Sequence, residues 1–145
     1  MREQIIFLDG IDKSGKTSIK KELVKQSEGK YLVIDRAFIS QIVYSRLYNR
    51  NINEIFFLAK MATYNSLGNT NFIFVFADYK DIKQRIIDCN EQDITIEDVE
   101  KHKKMFEEVI EEIELITPIR VIRINTSDKT ISETVKEIID RIDYI

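Results

Sequence analysis

The segment from Gly10 to Thr17 constrains this chain more than any other, because it fits G-x-x-x-x-G-K-[ST] at every fixed position. Its glycines allow the backbone to turn tightly and to point amide hydrogens inward at an anion. A helix predicted to start near Gly15 directs the positive end of its dipole at the same point. Lys16 can reach the outer phosphates of a nucleotide, and the Thr17 hydroxyl can bind Mg²⁺. The segment therefore predicts a polyphosphate-binding loop between a strand and a helix.

Short apolar runs alternate with helical patterns along the whole chain. Four short apolar runs are predicted to be strands: 4–8, 31–35, 71–77 and 119–124. The first is apolar on both faces, as a central strand of a parallel sheet is. Helical periodicity predicts six helices, at 15–26, 40–48, 52–67, 80–88, 96–116 and 130–142, the fifth with a capping pattern at 95–98. This alternation predicts an α/β fold of three layers, with about four parallel strands and helices on both faces.

Length and composition narrow the class of protein. The 145 residues fit a single domain spanning 1–145, and the net charge of -3 disfavours a dedicated nucleic-acid binder. Cys89 is the only cysteine, so no internal disulfide can form, and we expect a reducing, cytoplasmic compartment. No apolar run approaches the roughly 20 residues of a membrane span, and the first apolar run is too short for a signal peptide.

Polar residues cluster where the predicted strands end. Ligands of such sheets bind at the carboxyl ends of the strands, and Asp9, Asp35, 77–78 and 125–128 all lie there. Asp35 can hold Mg²⁺ or accept a proton, and Arg36 after it can clamp a phosphate with two hydrogen bonds. A salt-bridging pair on the surface is an equal alternative for these two residues.

Several segments resemble one family of enzymes. Residues 5–23, IIFLDGIDKSGKTSIKKEL, resemble the start of thymidylate kinases and related deoxynucleotide and deoxynucleoside kinases. Residues 35–40 are similar to their Asp-Arg-aromatic-x-x-Ser signature, with the aromatic displaced by one. The continuation SQIVYSRLYNR resembles small phage-type nucleotide kinases, and 72–86 are similar to a later strand, acidic turn and arginine-bearing helix. The resemblance implies the P-loop kinase fold, in the cytoplasm of a cell or of a phage-infected host.

The resemblance also assigns roles to matching residues. It implies catalytic roles for Lys13, Lys16, Asp35 and Arg36, and Mg²⁺ binding by Thr17 and Asp35, directly or through water. Asp12 matches an acid that faces the acceptor sugar and the metal, Arg85 an arginine near the ATP-side lid, and 125–127 a loop touching adenine. The residues expected to contact the donor nucleotide are Gly10, Asp12, Ser14, Gly15, Lys16, Thr17, Ser18, Arg85, Asn125 and Thr126.

The chain departs from the thymidylate kinase pattern in three ways. About 18 residues separate Thr17 from Asp35, so the usual second strand and acceptor-binding segment are missing, and the fold is truncated. The lid expected at 86–97 lacks the family's further basic residues, since 88–98 carry none. The aromatic-rich helix at 55–64 follows Asp-Arg, whereas the thymine-stacking helix precedes it in the family.

Two groups of residues are candidates for binding an acceptor. Phe56, Phe57, Lys60 and Tyr64 can form a pocket, although an ordinary core face of an amphipathic helix is the favoured interpretation. Tyr44, Arg46, Tyr48 and Arg50 can form an acceptor lid or a solvated face, with the two arginines predicted to share one side of a helix. His102, within the charged run EKHKK, is expected to face solvent.

These features predict a kinase that uses ATP and Mg²⁺ to phosphorylate a small-molecule nucleotide, a deoxynucleoside monophosphate of the thymidylate kinase type. A nucleoside or polynucleotide 5′-hydroxyl kinase is the first alternative, with Asp35 as base. A nucleotide-binding protein without turnover is the second. We expect no membrane partner and no nucleic acid except as a 5′-end substrate, and a homodimer is compatible with the sequence.

Overall fold

The structure, a computed structural model of the chain, describes residues 2–11, 14–89 and 95–143. The elements in chain order are β1 Gln4–Gly10, α1 Lys16–Gln26, β2 Tyr31–Asp35, α2 Phe38–Leu47, α3 Glu54–Ser66, β3 Thr70–Phe76, α4 Tyr79–Cys89, α5 Ile96–Ile116, β4 Val121–Asn125 and α6 Ile131–Asp143. Each predicted strand and helix is present, so the period of the apolar residues was sufficient to identify every element.

The four strands form one parallel sheet in the order β2-β1-β3-β4. Their register places Leu8 opposite Asp35, Gly10 opposite Val75 and Phe76 opposite Asn125. The carboxyl ends of all four strands therefore lie along one edge, where ligands bind in sheets of this kind.

Alternate residues of β1 enter two separate cores, which makes the molecule a three-layer structure. Phe7 packs with residues of α2, α3 and α5 on one face of the sheet. Leu8 packs with residues of α1 and α6 on the other. Successive side chains of a strand point to opposite faces, so a strand that is apolar throughout must be covered on both. The predicted α/β class with helices on both faces is confirmed.

Capping residues explain where two of the helices begin. The Asn53 side chain accepts a hydrogen bond from the amide of Phe56, so α3 starts at Glu54, two residues later than predicted. The predicted capping pattern at the start of α5 is confirmed, because Thr95 and Asp98 bond reciprocally to each other's backbone amides.

Within the described ranges, none of the helices combines the length and apolar character needed to cross a bilayer.

Candidate active site

Two glycines shape the loop between β1 and α1. A Cβ atom at Gly10 would lie 2.5 Å from the carbonyl oxygen of Val75, so only glycine allows β1 to pass this close to β3. Gly15 has a φ of 93°, in the left-handed region that favours glycine, and it is the N-cap of α1. Gly15 has no side chain that could cap α1, and the backbone amides at the start of a helix are a general binding site for anions.

A cavity of about 240 Å³ lies against this loop, and we call it the phosphate cavity. It is lined by Ile11, Ser14, Gly15, Lys16, Thr17, Ser18 and Arg36. The Ser14 hydroxyl donates to the carbonyl of Ile11 at 2.6 Å, so this side chain holds the turn. The fold thus brings together most of the residues predicted for the phosphates, including an arginine from after β2. Asp12 and Lys13, for which roles were also predicted, lie outside the described residues.

Arg36 belongs to two cavities at once. Its backbone has a φ of 52°, and its amide donates to the carbonyl of Leu8 at 3.2 Å. A left-handed conformation is uncommon for a residue with a long side chain and is often found at functional sites. Besides the phosphate cavity, Arg36 lines a second cavity of about 350 Å³, together with Ser40, Gln41, Tyr44, Tyr48, Arg50 and His102. Arg36 is therefore a lining residue that the two cavities share.

Asp35 is not a lining residue of the second cavity. Its carboxylate lines a cavity with Thr17 and Lys20, and its Oδ1 atom is 4.0 Å from Nζ of Lys20. Mg²⁺ in nucleotide sites typically uses one or two carboxylates, a hydroxyl, water and phosphate oxygens. The pair of Thr17 and Asp35 fits that donor set. Among the described residues, no group of three or more His, Cys, Asp or Glu side chains forms a fuller metal site.

Two of the residues predicted to lie near the nucleoside part of the donor nucleotide share a cavity. Arg85 and Thr126 line one cavity of about 430 Å³, next to the start of α6. Asn125 is not among the lining residues. Its amide donates to Asp78 at 3.2 Å and accepts from the amide of Ser127 at 2.9 Å, so it holds the loop after β4 against the end of β3. That Asn125 contacts a base stays a prediction.

The lid predicted at 86–97 includes the ends of two helices. Residues 86–89 end α4 and 96–97 begin α5, while 90–94 lie outside the described residues.

Asp9 was predicted to lie at the ligand-binding edge of the sheet, but no role was assigned to it. The side chain is fully buried, and its Oδ1 atom accepts hydrogen bonds from both the amide and the hydroxyl of Ser40. Burial raises the pKa of Asp9, against the lowering effects of Ser40 and of the nearby Lys16 charge. A carboxylate inside an otherwise apolar strand was the available signal, since such groups are rarely buried without a purpose.

The predicted acceptor residues separate into different roles. Arg46 donates to Glu54 and Glu112, both at 2.7 Å, and is a structural link between α2, α3 and α5. The prediction that Arg46 and Arg50 share a helical side is wrong, because α2 ends at Leu47. Tyr44, Tyr48 and Arg50 do line the second cavity.

The structure also bears on the predictions for His102 and for the aromatic-rich helix, α3. His102 is partly exposed, and its Nε2 atom lies 3.2 Å from the Tyr48 hydroxyl oxygen, a contact that the sequence did not predict. On α3, Phe57 and Tyr64 pack against the core, as the favoured interpretation predicted. Phe56 is exposed instead, with the Lys60 ammonium 4.6 Å from its ring centroid.

Comparison with known proteins identifies the fold. No protein-family model matches this chain, and no curated protein sequence does. The YorR protein of Bacillus subtilis, in complex with phosphorylated GDP, is similar with a TM-score of 0.80 and 18% identity, over 97% of this chain and 96% of its own. Deoxyadenosine kinase from M. mycoides with bound dCTP gives 0.61 and 14%, over 98% and 100%. A gluconokinase from Sinorhizobium meliloti gives 0.52 and 12%, over 99% and 94%. At these identities the likeness concerns the fold, which is that of P-loop kinases.

Proposed function

We propose that this protein transfers the γ-phosphate of Mg²⁺·ATP to a deoxynucleoside monophosphate, as thymidylate kinases do. The observation that carries this proposal is the position of Arg36, which lines both the phosphate cavity and the second cavity. Phosphoryl transfer requires little covalent work from the protein and depends on placing donor and acceptor in line while neutralising charge. A guanidinium shared by two adjoining cavities is suited to both tasks.

The phosphate cavity supplies the donor side of the reaction. Backbone amides at the start of α1 and the Lys16 ammonium would hold the β- and γ-phosphates of ATP. Thr17 and Asp35 would hold Mg²⁺, with the Lys20 ammonium giving up its contact at 4.0 Å to the carboxylate. Bound there, Mg²⁺ supplies positive charge against the phosphoryl oxygens as the bond to the leaving group breaks.

The second cavity favours an acceptor that is an anion. Arg36 and Arg50 line it, and none of the described lining residues carries a carboxylate. The phosphate oxygen of a monophosphate is already a competent nucleophile, so the reaction needs no general base. Arginine side chains suit such an acceptor because their planar guanidinium binds phosphate through two parallel hydrogen bonds.

A nucleoside 5′-hydroxyl kinase is the second candidate, because a deoxyadenosine kinase has a similar fold. A hydroxyl acceptor must lose its proton, and the base should contact it. Asp35 lines the cavity of Thr17 and Lys20 rather than the second cavity, and Asp9 is fully buried. The positions of these two carboxylates therefore favour the monophosphate.

A panel of acceptors tests the proposal. The purified protein would be incubated with Mg²⁺·ATP and, in separate reactions, the four common deoxynucleoside monophosphates, the matching nucleosides and a 5′-hydroxyl oligonucleotide, with Lys16→Ala as the blank. Formation of a deoxynucleoside diphosphate would support the proposal. Turnover of 5′-hydroxyls alone, or ATP binding without any product, would overturn it in favour of one of the alternatives.

A further inference from the structure

Three aromatic rings form one wall of the second cavity. The rings of Tyr44 and Tyr48 are nearly parallel, with an interplanar angle of 8° and centroids 6.2 Å apart. The His102 ring meets both edge-on, with centroids 5.5 Å from Tyr44 and 6.3 Å from Tyr48. The His102 Nε2 atom lies 3.2 Å from the Tyr48 hydroxyl oxygen, which fixes the two outer rings relative to each other.

The wall has a fixed inner part and an accessible outer part. Tyr44 packs edge-on against Phe106, which is fully buried in the core. Tyr48 is 55% exposed, so a ligand can reach its ring without disturbing the core. Only residues 27–30 connect α1 to β2, so no segment there could cover an acceptor, and α2 and α5 provide the wall instead.

Positive charge accompanies these rings. The guanidinium carbon of Arg50 lies 5.6 Å from the centroid of Tyr48, and Arg36 lines the same cavity on the side of the phosphate loop. Flat aromatic rings and guanidinium planes are the surfaces on which proteins stack nucleobases. The cavity has an arginine that can bind phosphate at one end and a flat, partly cationic surface at the other. These two ends match the phosphate and the base of a mononucleotide.

We propose that Tyr48, Arg50 and His102 form the binding site for the nucleobase of the acceptor, while Arg36 contacts its phosphate. This inference rests on the proposed function, because it assigns the base-recognition residues of the same acceptor. Tyr48 supplies the stacking surface, Arg50 a planar cation beside it, and His102 holds the Tyr48 ring through its hydroxyl. The acceptor is therefore a mononucleotide whose base is recognised by residues just after α2 and by α5, rather than by the short connection before β2.

Substitutions at Tyr48 and His102 test this site. Tyr48→Ala and His102→Ala should raise the KM for the acceptor about ten-fold, because stacking on an aromatic side chain is lost or misplaced. Tyr48→Phe keeps the stacking ring and its edge-on contact with His102 and loses only the hydroxyl contact, so it should raise that KM less than either alanine variant, by no more than about three-fold. Phe56→Ala is the matched control, since Phe56 is also an exposed aromatic residue but lies on α3 away from the cavity. The dissociation constant for ATP, measured by calorimetry, should stay within about two-fold of wild type in all four variants.

The outcomes separate this inference from the proposed function. If the wild type phosphorylates a monophosphate and both alanine variants keep its KM, the base site is wrong while the proposed function stands. If only 5′-hydroxyl acceptors react and both variants raise their KM, the base site stands and the monophosphate assignment fails. A general loss of ATP affinity in the variants would show damage to the fold and would also overturn the assignment of these residues to the acceptor.

Discussion

Asp9 at the end of β1 is joined to the first turn of α2 through Ser40, whose amide nitrogen lies 3.2 Å from the Asp9 Oδ1 atom and whose hydroxyl donates to the same oxygen. The N-cap residue of α2 is Ala37, which has no side chain able to cap the helix. Asp9, which lies in β1, therefore accepts the hydrogen bond from the first turn of α2 that an N-cap side chain would normally accept. Because Asp9 directly precedes Gly10 and Ser40 lines the second cavity, this contact fixes the phosphate loop relative to the second cavity.

Replacing Asp9 should destabilise the protein. Asp9→Ala leaves the buried Ser40 hydroxyl without its acceptor, and we expect the free energy of unfolding to fall by about 1–3 kcal/mol. Asp9→Asn retains an acceptor oxygen and nearly the same volume, so it should cost less. Urea denaturation of both variants and the wild type measures the difference. An Asp9→Ala protein as stable as the wild type would contradict the capping role.

The stability difference between Asp9→Asn and the wild type should depend on pH. Burial raises the pKa of Asp9 in the folded protein above its ordinary value of 3.8. The folded state then holds this proton more tightly than the unfolded state, so the carboxyl contributes most below that ordinary value and loses its contribution as pH rises towards the raised pKa. Asn does not titrate, so above about pH 4 the stability of the Asn variant should rise relative to that of the wild type. Urea midpoints at several pH values test this, and a constant difference would count against it.

Lys16→Ala should remove catalysis without unfolding the protein. Loss of a charge that stabilises the transferring phosphoryl group typically costs about a hundred-fold or more in kcat. Lys25→Ala is a suitable control, since Lys25 is exposed in the last turn of the same helix. Steady-state turnover and thermal unfolding of both variants provide the comparison. A Lys16→Ala enzyme with full activity would show that the phosphate cavity is not the donor site.

Two substitutions of Arg36 separate its chemistry from its backbone. Arg36→Gly relieves the left-handed conformation and should unfold at the same or a higher urea concentration, yet lose turnover. Arg36→Lys keeps the charge but not the planar, two-bond geometry, and we expect at least about a ten-fold fall in kcat/KM. If the glycine variant remains active, the Arg36 side chain does not contribute to catalysis, although the residue lines both cavities.

Gly10→Ala should be destabilising because of crowding against β3. The added Cβ would lie 2.5 Å from the Val75 carbonyl oxygen, and overpacking of this kind costs about 1–3 kcal/mol. Gly29→Ala is the matched comparison, since a Cβ there meets nothing within 4 Å and only the positive φ of 78° opposes it. Chemical denaturation should rank Gly10→Ala as the less stable of the two, and the reverse order would contradict the packing argument.

Local sequence was sufficient to predict the sheet, the helices and the phosphate loop. The residues of the loop are consecutive, so the conformations that Gly10 and Gly15 require are visible in the sequence itself. The strands were predicted because apolar residues on both faces have one explanation in an α/β fold, and the start of α5 because its capping box spans four residues, 95–98.

Which side chains line the second cavity was determined by the tertiary structure alone. Asp9 and Ser40 are 31 residues apart, Tyr48 and His102 are 54 apart, and Arg46 and Glu112 are 66 apart. Each pair forms only because α2 packs against both the sheet and α5. The periods of 2 and 3.6 residues show which side chains share a face of one element, but not which side chains of distant elements meet. The sequence by itself determined the phosphate-binding loop and the parallel sheet, since both depend on neighbours along the chain. Only the packing of distant helices decided that His102 and Tyr48 share a cavity with Arg36, and that Arg46 does not.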